Sequence, residues 1–263
     1  MISKLLIIPD CHAHPEYDND RFAALGKFIM AERPDVIVCL GDFADMPSLS
    51  SYDKGKKSFE GRRYKKDIEA AIDAQEKLFA PLKAYNARKR KNKEKQYKPK
   101  LHLTLGNHEA RINVATNDNP ELDGILSIDD LQYKKFGWRL TPYREKLHLE
   151  GIAFSHYFPS GLMGRPIGGV NQARSLITKQ HVSCVAGHSH IFDHAEQTIG
   201  DEEGTKIFGL SAGCYSHMGQ IEGWNKDTAA LWWHGVVILE DVSDGYYDTM
   251  TAITQRKILN DYL

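Results

Sequence analysis

The sequence predicts an α/β fold built on two packed β-sheets. Three observations carry this. Short apolar runs alternate with helical stripes over the first 190 residues, the pattern of strands joined by helical crossovers. Five of the runs end in loops rich in Asp, Asn and His, and strand ends in open α/β sheets converge on the crevice beyond their carboxyl edges. Beyond His190 the pattern changes to short strands at 196–199, 206–210 and 231–239, with a turn at 201–204, which predicts a mostly antiparallel second sheet packed on the first.

The first strand, residues 5–8, leads into Asp10-Cys11-His12. Phe22, Leu25, Phe28 and Ile29 then give a helical stripe that ends before Pro34. Strand 36–40 runs into Gly41-Asp42-Phe43-Ala44-Asp45 and is followed by a long excursion. Within it, Ile68, Ala71, Ile72, Leu78, Phe79, Leu82 and Tyr85 recur at helical spacing, and Pro81 is expected to kink or break that helix. Residues 87–100 are polar and cationic, a helix end and exposed loop. Strand 101–105 leads into Gly106-Asn107-His108-Glu109, and 129–133 is a short helix. Apolar runs on both sides of Glu150-Gly151 predict a hairpin over 147–154, its second strand ending near His156. A helix over 171–179 and a strand over 182–186 precede Gly187-His188-Ser189-His190. Trp224, Trp232 and Trp233 are expected in core or rim packing, and 245–263 as a strand edge and terminal helix. No repeat or linker interrupts the chain, so one domain over 1–263 is expected, with a basic excursion at about 50–100.

With 263 residues, 41% of them apolar and 26% charged, the chain can bury a core without staples. Its four cysteines (11, 39, 184 and 214) show no Cys-x-x-Cys spacing. Three lie in or beside core strands, so reduced thiols and a cytoplasmic protein are expected. The apolar run 5–8 is too short for a signal segment, and no stretch approaches transmembrane length.

The five loops share one chemistry. In extended backbone, Asp10 and His12 leave on one face while Cys11 points away, and His188 and His190 repeat that spacing. Two divalent cations about 3.5–4 Å apart can clamp a phosphoryl oxygen and activate a water between them. Holding cations that close needs an anionic bridge, and Asp42 in its glycine-flanked turn suits the part. Imidazole, carboxylate and amide donors without thiolate favour Mn, Fe, Zn, Co or Ni over an all-oxygen Ca or Mg cage. Taken singly, each block has an ordinary structural use as a turn, a cap or a buried histidine; their joint order points to a two-metal hydrolytic centre.

That ordered set, Asp-x-His, Gly-Asp-x-x-Asp, Gly-Asn-His-Glu, a lone His and Gly-His-x-His, resembles the calcineurin-like metallophosphoesterase superfamily over residues 5–192. The resemblance implies a two-sheet β-sandwich flanked by helices, a four-layer αββα fold. It implies that Asp10, His12 and His190 hold one metal, that Asn107, His156 and His188 hold the other, and that Asp42 bridges them. It makes His108 the acid that protonates the leaving oxygen rather than a ligand, and gives Asp45 and Glu109 supporting hydrogen bonds. Two divalent transition-metal ions are implied, Mn²⁺ favoured.

The branch is less plain. Protein phosphatases of this superfamily follow Gly-Asp-x-x-Asp with Arg-Gly, whereas Met46-Pro47 stands here, so the arginine that grips a phosphomonoester is missing from that place. Gly-Asn-His-Glu nevertheless matches the phosphatases' version, whereas cyclic-nucleotide phosphodiesterases more often carry aspartate in place of Glu109. Only 73 residues follow His190, too few for the added domain of the repair nucleases. The regions 48–64 and 158–169 are similar to small phosphoesterases of bacteriophages and prophages. A phosphodiester of nucleic-acid or nucleotide type is therefore the expected substrate. A phosphomonoesterase is the alternative and a non-catalytic scaffold the remote one.

Charge bears on that choice. Residues 51–100 hold 17 basic against 7 acidic side chains, a balance of +10, while the rest of the chain balances at −11. Lys56, Lys57, Arg62, Arg63, Lys65 and Lys66 could track a phosphate backbone, as clustered positive charge steers polyanions. A solvated helix and loop is the plainer reading of the same run.

Overall fold

The computed structural model describes residues 1–201, 204–220 and 229–263. In chain order the elements are β1 (Ile2–Ile8), α1 (Asp20–Glu32), β2 (Val36–Cys39), α2 (Tyr64–Lys91), β3 (Lys100–Thr104), α3 (Asn107–Asp118), α4 (Tyr133–Phe136) and β4 (Arg139–Thr141). There follow β5 (Leu147–Leu149), β6 (Ile152–Ser155), β7 (Pro159–Ser160), β8 (Arg165–Pro166), α5 (Gln172–Gln180) and β9 (Cys184–Ala186). The chain ends with β10 (Phe192–Thr198), β11 (Lys206–Ala212), β12 (Gly235–Val242), β13 (Thr249–Thr254) and α6 (Gln255–Tyr262).

Two main sheets form, in the orders β13-β12-β1-β2-β3-β4 and β10-β11-β9-β6-β5. The strands divide differently from the expectation. The second sheet takes up β5, β6 and β9 from before His190, while β12 returns to the first sheet antiparallel to β1 and β13 pairs antiparallel with β12 at its edge. Burial explains the division. Leu5, Ile7, Val36, Val38 and Leu40 on one sheet pack against Phe154, Val185, Phe208 and Leu210 on the other, with Val237 and Leu239 of β12 extending the same layer. The opposite face of the first sheet, with Leu6, Ile8, Ile37 and Leu103, is covered by Phe22, Leu25 and Ile29 of α1 and Leu78 and Phe79 of α2. Leu176 of α5 closes the outer face of the second sheet over Ala153 and Cys184. The architecture is the expected helix-flanked double sheet.

Four local corrections have physical causes. Pro81 does not break α2, which runs unbroken from Tyr64 to Lys91. The cost of an interior proline, about 3 kcal/mol, is offset by burying Leu78 and Phe79 before it and packing Leu82 after it. The expected strand at 231–239 begins only at Gly235. Before it, Trp233 donates its N–H to the His190 carbonyl and accepts from Cys214 N–H, which draws that backbone to the ligand loops instead of the ladder. The short helix at 129–133 is a 3₁₀ turn, Ile128–Leu131, followed by α4. Finally, His12, Asp42, His188 and His190 have φ of 46°, 46°, 68° and 61°, so the loops are not extended and the alternation argument for their side chains does not hold.

The hairpin about Glu150 and Gly151, helices α1, α5 and α6, and the edge strand β13 lie where the sequence placed them. Trp224 and two residues of the 201–204 turn fall outside the described residues. All four cysteines are buried free thiols. Among the described residues no helix is long and apolar enough to cross a membrane.

Candidate metal centre

The parallel strands β1, β2 and β3 end side by side in the first sheet, and β6 and β9 end side by side in the second. The loops that follow them meet at one point because the sheets are packed face to face. Left-handed backbone at four of the candidate ligands costs energy that the surrounding contacts must hold. Those contacts are visible. Cys11 and His12 N–H both donate to the Asp42 carbonyl, at 3.0 and 2.8 Å, tying the first loop to the second. Glu109 ties the second loop to the third, its two oxygens accepting from Asp42, Ala44 and Gly106 N–H at 2.9–3.0 Å and from the Tyr133 hydroxyl at 2.9 Å. A Cβ at Gly106 would lie 2.0 Å from Asp42 Oδ1, and one at Gly187 would lie 2.2 Å from Asp10 Oδ1. Only glycine lets these loops close on the carboxylates.

Donor atoms converge in two sets. Asn107 Oδ1, His156 Nε2 and His188 Nδ1 stand 2.8, 2.9 and 3.1 Å from one another. Nearby, His190 Nε2 stands 3.1 Å from both Asp10 Oδ2 and His12 Nε2. Asp42 Oδ2 lies between the sets, 3.3 Å from His156 Nε2 and 3.9 Å from His12 Nε2. Neighbouring ligands of an octahedral ion with bonds near 2.1 Å are about 3.0 Å apart, so these spacings are those of a coordination shell. Asp10 Oδ1 is fully buried yet has no hydrogen-bond partner among the described residues, as a donor kept for a cation would be. The ring orientations are fixed from behind: His156 Nδ1 bonds the Leu40 carbonyl at 2.9 Å and His12 Nδ1 bonds Asp45 Oδ1 at 2.6 Å.

Electrostatics match this crowding. Burial works against the Asp42 carboxylate, but the imidazoles of His156, His108 and His12 hold it below the usual carboxylate range. Burial also opposes charge on His12, yet the Asp45 hydrogen bond and charge push it up to about 9. His188, buried and beside His156, is pushed down to about 4, a neutral imidazole with its lone pair available. A third group of close ligand atoms joins His12, Asp42 and His108. The His108 ring, however, bonds through Nδ1 to the Asp45 carbonyl at 2.6 Å, and its Nε2 meets Arg111 Nη2 at 3.1 Å. A guanidinium there repels a cation at that nitrogen and leaves Nε2 facing the cavity.

The cavity, about 340 Å³, is lined by His12, Asp42, Asn107, His108, His188 and His190, and by Ser50, Tyr52 and Arg111. Arg111 was not singled out from the sequence, although it follows His108 by three on what becomes α3, a spacing that places two side chains on one helical face. Its other nitrogen donates to the Asp45 and Met46 carbonyls at 2.9 and 3.2 Å. Three more residues lie against the site, of which only Trp232 was noted in the sequence, for core or rim packing. Arg21 is buried and donates to the Cys11, His12 and Tyr215 carbonyls, His14 Nε2 lies 3.6 Å from Asp45 Oδ2, and the Trp232 ring stands edge-on to His190 at 4.1 Å.

The six basic residues are not gathered. Lys56 Nζ lies 3.4 Å over the ring of Tyr52, a cavity residue, and 3.9 Å from Asp53 Oδ1. Arg62 is held by Asp53 at 2.8 Å and by the Pro47 carbonyl, a brace for the loop rather than a free cation. Arg63 donates to the Arg62 carbonyl, and Lys57 sits in an exposed turn. Lys65 pairs with Glu69 beside Asp129 and Asp130, whereas Lys66 lies in a different hollow with Asp18 and Asp73.

A family model described as calcineurin-like phosphoesterase matches residues 3–249. Among solved structures the chain is similar to Yfce, a phosphoesterase from E. coli, at 16% identity over 95% of this chain and 100% of that one, with a TM-score of 0.35. Comparison with curated proteins gives no match.

Proposed function

The chain belongs to the calcineurin-like phosphoesterase family and is a metal-dependent phosphoric ester hydrolase; we propose that it is a binuclear phosphodiesterase acting on nucleic acid or nucleotides. The observation that carries the two-metal reading is the pair of donor sets with Asp42 Oδ2 between them. In this reading Asp10, His12 and His190 hold one divalent ion, Asn107, His156 and His188 hold the other, and Asp42 serves both. When bound, such ions supply Lewis acidity to the phosphoryl oxygens and an activated water. Imidazole, amide and carboxylate donors suit Mn²⁺, with Fe, Zn, Co or Ni as other fits.

The protein's own groups do the remaining work. His108 gives the proton from Nε2 to the leaving oxygen, while its Nδ1–H is held by the Asp45 carbonyl and, at 2.8 Å, by Asp45 Oδ1. Asp45 thus orients both His12 and His108, and Glu109 fixes the loop that presents Asp42. Met46 and the Pro47–Leu49 turn occupy the place where phosphatases carry arginine, and the exposed Tyr52 at the mouth favours a planar, base-bearing ester. Four buried thiols fit a reducing, cytoplasmic setting.

Arg111 favours a second reading, since its guanidinium beside His108 could grip the extra charge of a phosphomonoester. A turnover panel separates the two. With Mn²⁺ present, single- and double-stranded DNA, RNA and cyclic dinucleotides are compared with a phosphomonoester. Turnover confined to the monoester ends the phosphodiesterase reading.

A further inference from the structure

The cavity has two ends with different chemistry, and His108 stands between them. Its Nε2 is 3.8 Å from Asp42 Oδ2 on one side and 3.1 Å from Arg111 Nη2 on the other. A group protonated by His108 therefore departs away from Asp42, toward the wall formed by Arg111, Ser50 and Tyr52. That wall is equipped. Arg111 is braced on two backbone carbonyls through Nη1, with Nη2 against His108 Nε2 at the cavity surface. Tyr52 lines the cavity and is 60% exposed, so its ring is open to a flat partner. Lys56 Nζ sits 3.4 Å over that ring, a cation–π contact on one face.

We propose that Tyr52 and Arg111 form a subsite for the leaving nucleotide, Tyr52 stacking its base and Arg111 taking the phosphate it carries. The subsite rests on the phosphodiesterase reading and on His108 as proton donor, and it adds the chemical identity of the departing half. Base–aromatic stacking tolerates any base, so the subsite selects nucleotides over small esters without reading sequence. Arg111 offers donor pairs that match phosphate oxygens, which a lysine would not reproduce. Arg111 Nη2 already lies 3.1 Å from His108 Nε2, so a phosphate taken by its guanidinium is placed beside the ring that faces the leaving oxygen.

The test uses the Mn²⁺-loaded protein and a matched set of thymidine dinucleotides. One member carries a terminal phosphate on the leaving nucleoside, one lacks it, and one has a reduced abasic unit in place of the leaving nucleoside, each polarity being made in turn. The wild type is expected to prefer base over abasic, and phosphate over none, by about tenfold or more in kcat/KM. Tyr52→Ala should collapse the base preference toward unity and Tyr52→Phe should restore it. Arg111→Ala should collapse the phosphate preference, and Arg111→Lys should recover only part of it. Uniform losses on all members, with ratios intact, would mean that the two residues only support the fold or His108 and would overturn the subsite. Wild type that hydrolyses a phosphomonoester but none of the dinucleotides would overturn the phosphodiesterase reading itself, and the subsite with it.

Discussion

Two charged regions of this molecule stand out in its sequence, and the fold treats them in opposite ways. The ligand loops come from five places spread over 180 residues, yet their donor atoms end in two sets with neighbours about 3 Å apart, and Asp42 Oδ2 lies 3.3 and 3.9 Å from a member of each. The basic run is contiguous, yet it is dispersed. Helix rise alone sees to this: Lys65 and Lys91 lie 26 residues apart on one helix, about 40 Å at 1.5 Å per residue. The 100° turn per residue sends the adjacent Lys65 and Lys66 to separate hollows. Parallel strands bring distant residues together at one edge, whereas a long helix separates neighbours. A motif at strand ends therefore carries more functional information than a longer run of like charge on a helix.

The sharpest way to break this comparison is at the convergent region. Asp42→Asn, or removal of divalent ions with a chelator, should lower turnover by more than about 10³-fold, since a neutral amide bridges two cations poorly. Substantial activity in chelated protein would end the metal account. His108→Ala should lose on the order of 10²–10⁴-fold on esters with poor leaving groups and far less on a nitrophenyl ester, whose leaving group needs no proton. Equal losses on both would remove His108 from the acid role.

Asp67 sits where the two regions meet, on α2, with one carboxylate oxygen accepting from Ser48 N–H and the other without a partner among the described residues. Burial pushes its acid up to about 6. Because the folded value lies above the unfolded one near 3.8, the native state favours the protonated form. The charged form then destabilises the fold fully above pH 6, and the penalty fades as pH falls from 6 toward 4. Asp67→Asn keeps an acceptor for Ser48 and should raise stability at pH 7–8 by about 2–3 kcal/mol, with little change at pH 4. Chemical denaturation at pH 4 and 8 checks this, and an equal shift at both pH values would contradict it.

The smallest effects belong to the dispersed region. Charge removal at Arg88, Lys89, Arg90 and Lys91 should leave polynucleotide affinity and its salt slope nearly unchanged, while Lys56→Gln should weaken binding measurably. Equal weakening by the two changes would show that α2 acts as one surface after all.

How much of this was legible follows from the kind of signal. Short strands capped by ligand loops show in the sequence because burial on both faces forces continuous apolar runs, as in Leu5 to Ile8 and Val36 to Leu40. The candidate ligands were legible for the same reason, since each stands next to such a run. What was not legible depends on partners distant in sequence. Nothing local says that β12 returns to β1, or that Trp233 is drawn to the His190 carbonyl before β12 can start. Left-handed backbone at His12, His188 and His190 is imposed by the meeting loops, so alternation pointed to residues that the fold does bring together, but for the wrong reason. Arg111 alone was within reach, three positions after His108.

Metal stoichiometry tests the central claim most directly. Elemental analysis of protein equilibrated with Mn²⁺ and freed of excess should find close to two ions per chain in the wild type. Asn107→Ala, which touches one donor set, should leave about one, and Asp42→Asn should reduce occupancy of both. Two ions retained in Asp42→Asn, or a single ion in the wild type, would contradict a binuclear centre built on the shared carboxylate.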